Sequence, residues 1–98
     1  MINISLIGST GSIGRQVVDV VLRHKDKFNI ISLAAGENAK LLERQANIFK
    51  PEIIALNNPE KAREITKLPE GTLLYTGECA ALHAVSEKAD IVFVAVSG

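Results

Sequence analysis

Short apolar runs alternate along this chain with longer stretches whose apolar residues recur at helical spacing. Ile2–Ile7 is apolar except for Asn3 and Ser5, and it reads as a largely buried strand that stops at Gly8. From Ser12 the period changes. Ile13, Val17, Val20, Val21 and His24 share one helical face, and Val18 and Leu22 broaden it. So many valines are poor for intrinsic helix propensity, so this helix must be held by burial against a sheet. Phe28–Ala35 is a second buried strand, ended by Gly36. A helix over Asn38–Lys50 follows, with Leu41, Leu42, Gln45, Ile48 and Phe49 along one side, and Pro51 stops it.

The second half repeats the alternation. Ile53–Leu56 is a third strand. Asn57, Asn58 and Pro59 form a turn that caps a short helix over Glu60–Leu68, with Pro59 suited to its first turn. Pro69-Glu70-Gly71 breaks the chain before a short strand at Thr72–Tyr75. A helix runs through Ala80–Lys88, and Ile91–Val96 is the most apolar strand of all. Strands alternating with helices predict an α/β fold: a Rossmann-like, doubly wound parallel sheet with helices on both faces and right-handed crossovers. The expected strand order begins 3-2-1-4, with the first strand central.

The sharpest chemical signal is Gly8-Ser9-Thr10-Gly11-Ser12-Ile13-Gly14, which lies between the first strand and the first helix. That context makes a glycine motif credible as a dinucleotide turn, although the spacing is G-x-x-G-x-x-G rather than the commoner G-x-G-x-x-G. Gly8 can adopt a turn conformation closed to other residues. Gly11, without a Cβ, lets a pyrophosphate approach the backbone, and Gly14 permits close packing of the helix on the strand. The N–H groups of Thr10–Ile13 would point at the anion, helped by the helix dipole and by the Thr10 and Ser12 hydroxyls. The plainer alternative is a tight turn with Ser12 as the helix N-cap.

The end of the second strand is the next informative place. NAD-binding folds of this kind place an Asp or Glu there, about 20 residues past the glycines, to bond the ribose 2′-OH. Here the strand ends Ala34-Ala35-Gly36 with no carboxylate on it, and Glu37 comes just after. Small residues leave room for a 2′-phosphate and tilt the reading toward NADP, whereas an inward Glu37 would repel that phosphate. Asn38 can donate to ribose or phosphate, or serve as an N-cap. Arg15 and Lys40 are the nearest candidate phosphate cations, and both also read as plain helix-surface charges. Val96-Ser97-Gly98, at the end of a strand beside the first, is expected to border the cofactor.

Composition narrows the function. The chain has 98 residues, enough for at most one domain, and its 11 basic side chains balance 11 acidic ones. That balance argues against nucleic-acid or membrane binding by bulk charge. No apolar run approaches the roughly 20 residues that span a bilayer, and no signal peptide is read at the start. One cysteine, Cys79, excludes an internal disulfide framework and a cysteine-built metal site. It reads as a buried small residue in a reducing, cytoplasmic setting. His24 and His83 lack motif partners, and Asp19 reads as a salt-bridge ladder between Arg15 and Arg23. No catalytic constellation and no metal-ligand spacing emerges. The length is short for the two halves of a dinucleotide fold, so an incomplete domain is expected.

Gly8–Gly14, Asp19-Val20-Val21 and Ala34-Ala35-Gly36-Glu37-Asn38 together resemble the amino-terminal part of the 1-deoxy-D-xylulose 5-phosphate reductoisomerase family. Phe49-Lys50-Pro51 and Val94–Gly98 fit as well, so the likeness spans the chain. The resemblance implies an NADPH-dependent enzyme of the non-mevalonate isoprenoid pathway that uses Mg²⁺ or Mn²⁺. It forms 2-C-methyl-D-erythritol 4-phosphate by rearrangement and reduction, and it is inhibited by fosmidomycin. It further implies that Thr10, Gly11, Ser12 and Ile13 line the pyrophosphate site, and that Gly36 and Asn38 hold the adenosine ribose and its 2′-phosphate. The family often has a basic residue where this chain has Glu37. Residues 1–98 would be the NADPH-binding domain, or its amino-terminal part. The catalytic residues, metal ligands and carboxy-terminal domain would then lie outside it, in a homodimeric parent enzyme. Alternatives from the residues are the cofactor domain of a semialdehyde or short-chain dehydrogenase, or a non-catalytic nucleotide-sensing module.

Overall fold

Five strands form one sheet in a computed structural model that describes residues 1–95. They are β1 (Ile2–Ile7), β2 (Phe28–Ala35), β3 (Ile53–Leu56), β4 (Leu73–Thr76) and β5 (Ile91–Val94). All pairings are parallel, in the order β4-β3-β2-β1-β5. The expected run 3-2-1 is present, but the strand beside β1 is the fifth rather than the fourth. The chain leaves β3 through a short 3-10 helix and adds β4 to the outer edge before crossing back. The two halves still diverge at β1, so the crevice outside the carboxyl end of β1 is a topological switch point.

Helices α1 (Ser12–Arg23) and α2 (Ala39–Phe49) pack on one face of the sheet. That face holds the large aliphatic core. Leu6, Leu33, Leu42, Ile54 and Leu56 are fully buried there, each contributing about 1.5–3 kcal/mol of transfer free energy. The opposite face is built from small residues. Ala34 of β2 and Ala55 of β3 pack against Ala80 and Ala84 of α3 (Ala80–Ala84), which lets that short helix approach closely. Ser32 Oγ donates to the Ala84 carbonyl and lies 2.7 Å from Ser5 Oγ, so the hydroxyls on this face are paired.

A bulge between β1 and β2 assigns the two faces. Ile4 pairs with Ile30 but Ser5 pairs with Ser32, so Ile31 is the extra residue. Strict alternation would put Ile30 and Ser32 on one face; the bulge puts Ile30 with Leu33 in the aliphatic core and leaves Ser32 to α3.

Several element boundaries differ from the sequence reading. The helix expected over Glu60–Leu68 is a 3-10 helix at Pro59–Glu64, and the one expected through Lys88 ends at Ala84. Beyond Val85, the Ser86 hydroxyl accepts from Lys88 N–H, a local bond that competes with helix continuation. On α1 the buried line is Gly14–Val18–Val21, while Ile13 and Val20 are exposed. On α2, Ala39, Leu42, Gln45 and Ala46 are buried and Ile48 is not. The strand expected over Ile91–Val96 is observed as Ile91–Val94; despite its apolar sequence it is exposed on both faces, and Val96 lies outside the described residues. An apolar groove of about 420 Å³ therefore runs between α1 and β5, lined by Ile13, Val17, Val20, Ile91 and Phe93.

Candidate functional site

A second cleft, about 350 Å³, opens at the carboxyl ends of the strands. It is smaller than the apolar groove but has polar walls, and it lies at the switch point. Gly8 ends β1 with φ 90°, in the region where a side chain is strained. The Gly8 and Ser9 N–H groups both donate to the Ala34 carbonyl, at 2.8 and 2.9 Å, tying the turn to the end of β2. The Gly14 position admits no side chain. A Cβ there would lie 1.9 Å from the Gly8 carbonyl oxygen, so α1 is folded directly against the turn that precedes it.

Gly11, not Ser12, is the N-cap of α1, with extended backbone and no side-chain hydrogen bond. Ser12 is the first helical residue, which corrects the plainer reading of it as the cap. The Gly11 N–H is also unavailable to an anion, because it donates to the Gly8 carbonyl at 3.3 Å. The N–H groups of Thr10, Ser12, Ile13 and Gly14 have no acceptor among the described residues. These open donors sit at the positive end of the helix dipole, so the turn fits an anionic group. The described backbone leaves a place for one: a Cβ on Gly11 would come no closer than 3.7 Å to other atoms.

Thr10, Gly11, Ser12 and Ile13 line this cleft from one side, and Gly36 and Glu37 from the end of β2. Ala95 closes it from the end of β5, where its N–H donates to the Ile7 carbonyl at 2.7 Å. The stretch Val96-Ser97-Gly98, expected to border the cofactor, lies outside the described residues. Asn38 is not part of the lining. Its side chain caps α2, with Oδ1 accepting from Leu41 N–H at 3.2 Å. A neighbouring hollow of about 270 Å³ shares Gly8 and Gly36 with the cleft and continues past Asn57 toward α3.

Gln45 is a part of the site that the sequence reading placed on an apolar face. It is 3% exposed, and its Nε2 donates to the Ser9 carbonyl at 2.9 Å. A helix from the second βα unit thus grips the glycine turn of the first. The available signal was an amide within an otherwise apolar stripe. Ser9 Oγ and Gln45 Oε1 are buried without a hydrogen-bond partner among the described residues.

The remaining candidates are not gathered at the cleft. Arg15 shares a shallow hollow on α1 with Ser12, Gln16 and Asp19, so it neighbours the cleft through Ser12 without being among its lining residues. Lys40 Nζ is 3.7 Å from Glu43, and Asp19 pairs with Arg23 at 2.7 Å. His24 caps the end of α1 through its backbone, and His83 stacks on Tyr75 with ring centroids 4.0 Å apart. Cys79 is exposed rather than buried, because it precedes α3 at the rim of the sheet. Glu43 is a structural anchor. Its carboxylate accepts from the Thr66 and Lys67 N–H groups at 2.6 and 2.7 Å. The Lys67 N–H, with Thr66 and the Lys40 charge, holds it below its ordinary pKa of 4.5, against the opposing effect of partial burial. Among the described residues no three His, Cys, Asp or Glu side chains gather as a metal site, and no helix is long and apolar enough to cross a membrane.

Comparison with known proteins agrees with this geometry. A family profile described as 1-deoxy-D-xylulose 5-phosphate reductoisomerase matches residues 4–98. The reductoisomerase of Halalkalibacterium halodurans is 40% identical over 100 residues, covering 100% of this chain and 26% of the relative. That of Caldanaerobacter subterraneus subsp. tengcongensis is 42% identical over 94 residues, covering 95% of the chain and 25% of the relative. The chain therefore spans about a quarter of the length of the curated relatives it matches. Among solved structures, the Zymomonas mobilis reductoisomerase in complex with NADPH superposes with a TM-score of 0.87 at 24% identity, over 99% of this chain and 26% of that one. A reductoisomerase in complex with magnesium gives 0.86 at 22% identity, over 100% of this chain and 26% of that one. At these identities the superpositions establish the fold.

Proposed function

The chain belongs to the 1-deoxy-D-xylulose 5-phosphate reductoisomerase family, and from that premise we propose that it forms the amino-terminal part of the NADPH-binding domain of such an enzyme. The observation that carries the reading is the set of open N–H donors on Thr10, Ser12 and Ile13, facing a cleft at the switch point of a parallel sheet. These donors would hold the dinucleotide pyrophosphate, with the Thr10 and Ser12 hydroxyls as further donors. Gly11 would let the phosphates approach the backbone. Gly36 would leave space for the adenosine ribose, and Asn38, through its Nδ2, would donate at the edge of that position. The Gln45 side chain and the absence of one at Gly14 keep the turn in shape.

When bound, the nicotinamide supplies the hydride for reduction of an aldehyde; the protein's part is to position it and exclude competing reactions. The complete enzyme would rearrange 1-deoxy-D-xylulose 5-phosphate and reduce the product to 2-C-methyl-D-erythritol 4-phosphate. The divalent cation and catalytic residues of that reaction would be supplied by the rest of the polypeptide. A cytoplasmic homodimer is the assembly we propose for it.

Titration with NADPH, followed by thermal denaturation, tests the binding reading, because a ligand of the folded state raises its stability by mass action. The complete natural polypeptide should be stabilised by millimolar NADPH and should turn over substrate with added Mg²⁺. The 98-residue chain should show no turnover. Steady reductoisomerase activity from that short chain would refute the proposed division of labour.

A further inference from the structure

The glycine turn contains one peptide that its own βα unit does not hold. Gly8-Ser9-Thr10-Gly11 is a hydrogen-bonded turn, closed by the Gly11 N–H on the Gly8 carbonyl at 3.3 Å. Upstream of its centre, the Gly8 and Ser9 N–H groups are tied to the Ala34 carbonyl. The central peptide, which joins Ser9 to Thr10, has neither of its groups in a backbone hydrogen bond among the described residues. Its carbonyl oxygen accepts from Gln45 Nε2 at 2.9 Å, and its N–H is one of the open donors of the cleft. Such a central peptide can rotate without breaking the bond that closes the turn, and that rotation is what separates one turn type from another.

A peptide plane is rigid and here trans, so the Ser9 carbonyl and the Thr10 N–H point in opposite directions. A bond that fixes one fixes the other. Ser9 is fully buried and Gln45 is 3% exposed, whereas Thr10 lines the cleft. The carbonyl therefore faces inward to α2, and the N–H faces outward to the place of an anion. Gln45 shares the buried side of α2 with Ala39, Leu42 and Ala46, where an amide is costly unless a specific partner offsets its desolvation. Its Oε1 has no hydrogen-bond partner among the described residues, so the bond to the turn is what the amide contributes.

We infer that Gln45 is a positioning residue for the anion site: by holding the Ser9 carbonyl from behind, it aims the Thr10 N–H at a bound pyrophosphate and keeps the carbonyl oxygen out of the cleft. The inference rests on the reading of the cleft as a dinucleotide site, and it concerns what aims the donors of that site. Without the bond the peptide swings, the N–H leaves the phosphate, and the negative end of the carbonyl turns toward it. Thr10 is β-branched and resists the positive φ that a complete flip requires. The expected loss of affinity is therefore about tenfold, as for one misaligned bond to a charged group, rather than abolition.

The test uses the complete natural polypeptide with Gln45→Met and Gln45→Leu, which fill the position with an apolar side chain and cannot donate. Titration well below the melting temperature should show both variants binding NADPH about tenfold more weakly. In turnover with Mg²⁺, KM for NADPH should rise by a similar factor, while kcat at saturating NADPH and KM for the sugar phosphate stay near their native values. A role in stability alone would lower the melting temperature and leave the NADPH dissociation constant in place. That result overturns the inference, as does an equal rise in both KM values. The native protein supplies a second measurement that does not depend on the variants folding. Donation from the Thr10 N–H to a phosphate polarises the peptide and makes its carbonyl a stronger acceptor. Bound NADPH should therefore move the Gln45 side-chain amide protons downfield in NMR spectra, and protons that stay in place overturn the inference too. A native protein that binds no NADPH would overturn the dinucleotide site itself, and the positioning role with it.

Discussion

The two strand-to-helix turns that meet at the cleft have the same place in the fold and opposite construction. After β1, the chain enters α1 through Gly11, an N-cap without a side chain, and the first N–H groups of the helix stay open among the described residues. After β2, it enters α2 through Asn38, whose side chain accepts from Leu41 N–H. One helix start is left unsatisfied by the protein and the other is capped. A glycine start without a side-chain cap gives up only a few tenths of a kcal/mol of local stability and leaves its N–H groups open to an anion. Under the proposed function the first turn would recognise a ligand with backbone N–H groups, whereas the second offers its own N–H groups less freely because Asn38 occupies one of them.

The most disruptive way to break that comparison is Gly14→Ala. Its Cβ would fall 1.9 Å from the Gly8 carbonyl oxygen, which is backbone and cannot rotate away. We expect a loss of about 3 kcal/mol or more in folding stability, measured by denaturant unfolding, with loss of dinucleotide binding. A variant of native stability would show that the turn is looser than described. Gly11→Asp separates folding from binding. The Gly11 φ of −75° suits any residue and its Cβ has room, so stability should hold or rise by a few tenths of a kcal/mol. NADPH affinity should fall at least about tenfold, because the carboxylate would compete for the anion site. Unchanged affinity by titration would remove the pyrophosphate from this turn.

Smaller effects test how the second turn is held. Glu43 ties α2 to the segment after the 3-10 helix, and its side chain is 12% exposed. Glu43→Gln should cost about 1–2 kcal/mol near neutral pH, since the amide oxygen accepts the same bonds without the charge. The folded-state pKa of Glu43 lies below 4.5, so its charge stabilises the protein fully above about that pH. As pH falls through the lowered folded value, that contribution is lost. The gap between native and variant stability should therefore close in acid, and a gap that persists to pH 2 would contradict the anchoring role. Asn38→Ala should cost about 1 kcal/mol by loss of the cap, checked by thermal denaturation. The same substitution should affect NADPH affinity far less than Gly11→Asp; an equal effect would erase the distinction between the turns.

Most of the element order was legible in the sequence, because apolar period and glycine or proline breaks are local properties. The strands at Ile2–Ile7, Phe28–Ala35 and Ile53–Leu56 and the start of the helix at Ser12 are where the pattern puts them. The limits of the later helices were not, because Ser86 and Asn58 make local side-chain bonds that the apolar period does not report. The grip of Gln45 on Ser9 was invisible for a different reason. The two residues are distant in sequence and meet only when α2 packs beside the first turn. The same holds for the bulge at Ile31, which assigns Ile30 and Ser32 to opposite faces although their spacing puts them on one.

By itself the sequence determined that the chain alternates strands and helices, that a glycine turn joins the first pair, and that no strong net charge directs it to nucleic acid or membrane. Those are properties of residue type and short-range spacing. Tertiary structure alone decided which strand lies beside β1, that Gln45 reaches the Ser9 carbonyl, and that Gly36 and Glu37 line the same cleft as the glycine turn. Each depends on how distant segments pack. Packing is set by the burial of side chains contributed by the whole sheet, while the pattern along the chain records only which residues can be buried.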